Sequence, residues 1–133
     1  MVTITEFSDP AELMDTLLRQ RALQAKVARS RQFVARENGI EIAYFSFDDR
    51  SDIDTGVLYD ILVLPHCRNR GVGRELIRFS ERVACSIGCS RMRLSPQAFD
   101  DSVTQAWLES WYLAQGYSLA NDGTSEFEKS LHP

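Results

Sequence analysis

The 133-residue chain has no apolar run long enough to cross a membrane. Its longest, such as ILVLP at 61–65, falls far short of the roughly 20 residues that a helical span requires. The opening MVTITEFSDP lacks the basic start, apolar stretch and cleavage site of an export signal, so a soluble, cytoplasmic protein without a membrane partner is expected. Cysteine is scarce and odd in number (three), and histidine occurs twice. Cys85 and Cys89 stand four apart without C-x-x-C pairing, so neither a disulfide framework nor a metal site is expected, and the thiols read as reduced and structural. Seven glycines and four prolines exclude collagen-like and low-complexity architectures. Basic residues are outnumbered, giving a formal net charge of -4 and a sequence pI near 5.1. That balance argues against a protein that wraps a nucleic-acid partner over a broad surface, while leaving room for a local cationic pocket.

What is present is enough to build a core: 44% of residues are hydrophobic, and the length suits one domain spanning 1–133. MVTITEF loosely alternates Val2, Ile4 and Phe7 and predicts a short strand. A helix is predicted next, with Asp9 as cap, Pro10 in its first turn, Glu12 three residues after the cap, and one apolar face of Leu13, Met14, Leu17 and Leu18. Asn38-Gly39 between two alternating runs predicts a hairpin, and DDRSDIDTG a polar loop. VLYDILVLP reads as a central strand ended by Pro65. Val72, Leu76, Phe79, Val83 and Ile87 then fall on one stripe of a helix stopped near Gly88, with Arg70, Arg74, Arg78 and Arg82 opposite. SRMRLSP predicts another strand, DDSVTQAWLESWYLAQG a helix opened by Asp or Ser and closed by Gly116, and the remainder a closing hairpin. This order predicts a mixed α+β sheet of about six to seven strands with about three to four helices.

One turn concentrates positive charge and small residues. Arg68-Asn69-Arg70-Gly71-Val72-Gly73 follows a strand and opens a helix whose first N–H groups lack intrahelical partners. Gly71 and Gly73 remove Cβ atoms that would hold a ligand off the backbone, and the helix dipole with Arg68, Arg70 and Arg74 favours an anion such as phosphate. A P-loop would need G-x-x-x-x-G-K-[ST], and a dinucleotide fingerprint a third small residue where Leu76 stands. Arg78 and Arg82 lie too far along the helix, about 6 Å further at each step of four residues, and read as a solvated face offset by Glu75 and Glu81.

YDILVLPHCRNRGVGRELI resembles the central strand, pyrophosphate loop and following helix of the GNAT superfamily of acyl-CoA-dependent N-acetyltransferases, and WYLAQGY resembles that family's later Tyr-x-x-x-Gly-[Phe/Tyr] segment. The resemblance implies a single twisted sheet splayed at its central strands, with acetyl-CoA as co-substrate and no metal. It places the coenzyme A pyrophosphate on the N–H groups between Arg70 and Arg74, with Arg68 approaching the same phosphates, and pantetheine against backbone groups of Leu62, Val63 and Leu64. Gln105 stands where many relatives carry Asn, and Leu108 where they carry Ala. The acceptor implied is an amine, on a small molecule or a peptide or protein, and homodimers are frequent among similar proteins.

Acetyl transfer needs a neutral amine, whereas a lysine-like amine with a pKa of about 10.4 is protonated at neutral pH. A base must take that proton, and an acid can protonate the departing thiolate. By the resemblance Asp60 is the candidate base; the competing reading is a strand-end carboxylate paired with Arg91 or Arg93. Tyr112 matches the family's tyrosine and is the candidate acid; the competing reading is packing against Tyr117 across the glycine-closed helix end. His66 and Cys67 border the same turn without partners that would make either catalytic. Trp107 and Trp111 read as core or as the edge of an acceptor groove. Beside the enzyme stand two other readings, a GNAT-fold module binding acyl-CoA or a protein without turnover, and a contact of the arginine helix with RNA.

Overall fold

The computed structural model describes residues 1–97 and 103–131. In chain order the elements are β1 (Val2–Phe7), α1 (Thr16–Ala25), β2 (Ser30–Glu37), β3 (Ile40–Arg50), β4 (Thr55–Val63), α2 (Val72–Ser86), β5 (Arg91–Leu94), α3 (Gln105–Ala114), β6 (Ser118–Leu119) and β7 (Phe127–Ser130). Among the described residues the strands form one sheet in the order β1-β2-β3-β4-β5-β7-β6. Every neighbouring pair is antiparallel except β4 and β5, which α2 connects as a parallel crossover. This is the mixed α+β sheet expected from the sequence.

The sheet carries a core on each face. Alternation sends Phe33, Phe45, Phe47, Ile61 and Val63 to one side, where they meet α2 and α3. Val34, Tyr44, Leu62 and Leu64 go to the other, with Leu18 and Ala22 of α1. On α2 the predicted stripe holds: Val72, Leu76 and Val83 are buried, and Phe79 and Ile87 pack against the core. Full burial of a side chain such as Leu76 stabilises the fold by about 1.5–3 kcal/mol. The helix lies close to the strand backbone at Gly56, where a Cβ would stand 2.7 Å from Phe47 and 3.0 Å from Ala84.

The hairpin forms as predicted, with Asn38 and Gly39 both at positive φ, but its strands run longer and absorb much of the expected polar loop. The first helix differs more. Asp9 and Glu12 do form a capping box, yet it closes only a 3-10 turn at Pro10–Glu12. The chain then becomes extended at Leu13, and α1 starts anew at Thr16 under an Asp15 cap. The break is held by the buried Glu41 carboxylate, which accepts the N–H groups of Met14 and Asp15 at 2.7–3.0 Å. Leu13 and Leu18 are therefore buried, whereas Met14 and Leu17 are exposed. The last helix is capped by Thr104; Asp100, Asp101 and Ser102, the caps expected from the sequence, lie outside the described residues.

Candidate active site

A β-bulge positions the site. Ser46 pairs with Asp60 and Phe47 with Leu58, so Tyr59 is an extra residue in β4. A bulge bends the strand and increases its twist. Beyond it the sheet opens: β5 pairs with β4 only from Thr55 to Leu58, leaving Asp60 to Val63 without a strand neighbour on that side among the described residues. The bulge also reverses the alternation, so Leu58 and Ile61 share the α2 face while Asp60 turns toward α1.

Backbone direction corrects the pantetheine assignment. The Leu64 N–H donates to the Ile42 carbonyl at 2.9 Å, and by two-residue alternation the groups of Leu62 also face β3. Leu62 and Leu64 are thus committed to the sheet and to the α1-side core. The groups facing the gap belong to Ile61 and Val63, and the Val63 carbonyl accepts the Arg68 Nε–H at 2.9 Å.

A cleft of about 560 Å³ extends from this gap to the start of α2, between Ile61 and Val63 on one side and Trp107, Trp111 and Tyr112 of α3 on the other. Its far end is the predicted turn. Gly71 is the N-cap of α2 at φ +83° and makes no side-chain cap bond. The first backbone bond of the helix joins the Glu75 N–H to the Gly71 carbonyl, so the N–H groups of Val72, Gly73 and Arg74 remain available to an anion. Gly73 faces the cleft between two walls: a Cβ there would stand 3.7 Å from Trp111 and 3.9 Å from Val63. Arg68, Asn69 and Arg74 also border the space.

Two predicted ligand residues depart from this arrangement. Arg70 turns away from the cleft to pair with Glu37 at 2.9 Å, because the β2–β3 turn places that carboxylate beside the loop. Gln105 Nε2 donates to the Pro96 carbonyl at 2.7 Å and to Glu109 at 3.1 Å, so its amide hydrogens are engaged within the protein. Sequence reasoning missed Asn69, whose φ of +63° is a conformation that Asn tolerates better than most residues. It also assigned the tryptophans to core or acceptor groove, whereas both line the cleft at the α2 N-terminus. Cys67 is buried at the cleft wall. Glu81 does not offset the arginine face; it accepts from Lys129 and from the Tyr117 hydroxyl, tying α2 to the closing hairpin.

Three tyrosines are buried near these elements, and their hydroxyls differ. Tyr44 donates to Asp60, and Tyr117 donates to Glu81 at 2.9 Å. The Tyr112 hydroxyl has no hydrogen-bond partner among the described residues, although the side chain is buried and lines the cleft. Its ring is fixed edge-on by Trp111 and Tyr117, with centroids 5.0 and 6.0 Å away. Burial, and secondarily the charge of Asp60, push its pKa well above the ordinary phenol value, so the phenol keeps its proton at neutral pH.

Asp60 pairs with neither Arg91 nor Arg93. Its carboxylate accepts Nε–H (3.2 Å) and Nη2–H of Arg21 from α1, together with the Tyr44 hydroxyl. Arg91 is occupied by Thr55, and Arg93 by Asp122 and Glu126. Asp60 borders a second, smaller cleft of about 370 Å³ on the α1 side, shared with Arg21, Tyr59, Ser95, Gln97 and Glu126. The described residues contain no group of three or more His, Cys, Asp or Glu able to hold a metal ion, and none of their helices is long and apolar enough to cross a membrane.

A parallel strand pair splayed beyond a bulge, opening onto a glycine-bearing helix N-terminus, defines the acyl-CoA-dependent acyltransferase class of α+β fold. The family model of the GNAT acetyltransferases matches residues 2–117, and the chain belongs to that family. Among solved structures it is similar to an IAA acetyltransferase from Bacillus cereus (20% identity, 98% of this chain and 100% of that one, TM-score 0.73). It is also similar to the ribosomal-protein-S18-alanine N-acetyltransferase of Escherichia coli (18%, 100% and 96%, TM-score 0.71). A third similar structure is a GNAT acetyltransferase from Elizabethkingia anophelis with acetyl-CoA bound (15%, 98% and 98%, TM-score 0.67). A search of curated proteins finds no match.

Proposed function

We propose that the protein is an N-acetyltransferase that moves an acetyl group from acetyl-CoA directly to a primary amine, both bound at once. Acetyl-CoA supplies an activated thioester carbonyl. Val72, Gly73 and Arg74 offer N–H groups to its pyrophosphate, helped by the Arg74 side chain and by Arg68. Gly73 leaves the passage between Trp111 and Val63 open, and the gap-facing groups of Ile61 and Val63 offer the extended backbone edge against which pantetheine amides can pair.

The amine nitrogen attacks the carbonyl carbon, a C–N bond forms, the C–S bond breaks, and the products are an amide and a thiol. A gap-facing N–H of β4 stabilises the intermediate oxyanion. Asp60 takes the first amine proton: a carboxylate has about four acceptor positions, and Arg21 and Tyr44 occupy three, leaving about one for an amine or an intervening water. Tyr112 gives its proton to the departing sulfur.

The observation carrying this reading is the unpaired Tyr112 hydroxyl. Its oxygen is not sealed off from the cleft that Tyr112 lines, so its proton is open to a molecule bound in the space that ends at the uncapped α2 N-terminus. The test is coenzyme A thiol release from acetyl-CoA over a panel of primary amines and peptides, with mass detection of the acetylated product. Thiol release matched by acetylated amine is expected. Tight acetyl-CoA binding without release for any acceptor would instead identify a silent binding module.

A further inference from the structure

The second cleft presents one cation and one anion already joined. Among the described residues lining it, Arg21 is the sole cation, and its guanidinium spans both oxygens of Asp60. Neither partner is deeply buried, with side chains 29% and 18% exposed. Glu126 on the far wall is committed to Arg93 at 3.1 Å, and Tyr59, pushed outward by the bulge, shows a half-exposed ring.

A simple cationic amine entering this space would take the open position on Asp60 and share that carboxylate with Arg21. Two cations would then divide one carboxylate, and no second ion pair would form. A ligand carrying both an ammonium and a carboxylate changes that count: the ammonium takes Asp60, the carboxylate takes the planar fork of Arg21, and one pair becomes two. The space of about 370 Å³ suits a small molecule, and the Tyr59 ring offers a flat apolar surface to its side chain.

We propose that this cleft is the acceptor site and that it selects a free α-amino acid, with Arg21 as the residue that reads the carboxylate. The proposal rests on the acetyltransfer reading for its meaning, but it is tested by binding alone. Wild-type protein containing coenzyme A is titrated calorimetrically with each of the twenty free amino acids and with its α-carboxamide. The best free amino acid is expected to bind at least tenfold more tightly than its own amide. That ratio should fall below threefold in Arg21→Gln, with coenzyme A affinity serving as the folding check, and stay above threefold in Arg21→Lys.

The proposal is overturned if no free amino acid binds more tightly than its amide, or if the ratio survives in folded Arg21→Gln. Should Arg21→Gln not fold, the wild-type ratio and Arg21→Lys decide. Amino-acid binding without thiol release would sink the transfer reading and leave this one standing. Thiol release that favours plain amines or amides would do the reverse.

Discussion

Replacing Tyr112 with Phe removes one oxygen from the cleft and little else. The hydroxyl makes no hydrogen bond within the described protein, so no internal bond is lost, and the edge-on contacts with Trp111 and Tyr117 involve only the ring. The change in folding stability should therefore stay below about 1 kcal/mol, the net worth of one hydrogen bond. Catalysis should respond very differently. A positioned general acid contributes about 10²–10⁴ in rate, equivalent to about 3–5 kcal/mol of barrier, because an alkyl thiol with a pKa of about 8.5 is a poor leaving group unless protonated. Steady-state kinetics with acetyl-CoA should show kcat falling by that factor while the dissociation constant for acetyl-CoA, measured separately, moves by less than about threefold. The loss should shrink when the thioester of a more acidic aryl thiol replaces acetyl-CoA, since that sulfur needs less help to leave. A kcat within about threefold of wild type, or a weakened acetyl-CoA affinity at unchanged kcat, would make Tyr112 a packing or binding residue and refute the reasoning.

Gly73→Ala should separate folding from binding: Ala can stabilise the helix by up to about 1 kcal/mol, yet its methyl group narrows the passage between Trp111 and Val63, so coenzyme A affinity should fall about tenfold by titration while the denaturation midpoint holds or rises. Gly56→Ala tests the packing of α2 on β4, where the new methyl group would overlap Phe47 at 2.7 Å; a loss of about 1–3 kcal/mol in urea unfolding is expected, and an unchanged midpoint would show that the ring can move aside. Alkaline pH tests the buried tyrosines. Burial, followed by the charges of Asp60 or Glu81, raises Tyr44, Tyr112 and Tyr117 above the ordinary phenol value. The unfolded chain therefore releases these protons first. Their contribution is fully present below about pH 10 and declines above it by about 1.4 kcal/mol per group per pH unit, or about 4 for the three together. Urea midpoints should drop steeply between pH 10 and 11, and a flat profile there would contradict the buried assignment.

The turn and helix that border the larger cleft were legible because their signals are local. A strand ended by Pro65, two glycines around a helix start, and an apolar stripe from Val72 to Ile87 each follow from backbone stereochemistry within a few residues. The structure keeps all three. The hairpin at Asn38-Gly39 was legible for the same reason. The first helix was not, because its break depends on Glu41, a residue 26 positions beyond Asp15 that supplies acceptors for the Met14 and Asp15 N–H groups. A capping box at Asp9 and Glu12 is consistent with a long helix or with one short turn, and only a tertiary partner decides between them. The partners of Arg70 and Gln105 were hidden on similar grounds: charge and hydrogen-bonding capacity are visible in the chain, but Glu37 and the Pro96 carbonyl, which engage them, are brought near by folding.

The proposed acceptor half turns on a single inserted residue. In an unbroken β4, Asp60 would share the parity of Gly56 and Leu58 and face α2, on the donor side of the sheet. Tyr59 adds one residue against β3, so Asp60 turns to the α1 side, while Ile61 and Val63 take over the wall of the donor cleft. Strand pairing is governed by a period of two, and one residue reverses every side chain beyond it. The sequence YDILV carries no mark of this: Tyr59 is an ordinary strand residue by propensity, and the bulge arises where β4 leaves β5 and gains twist. The same residue separates the proposed acid and base, placing Tyr112 on the cleft at the α2 N-terminus and Asp60 on the α1-side cleft. In the proposed reaction both groups would act through the opening between β4 and β5, and that opening begins where Tyr59 interrupts the register.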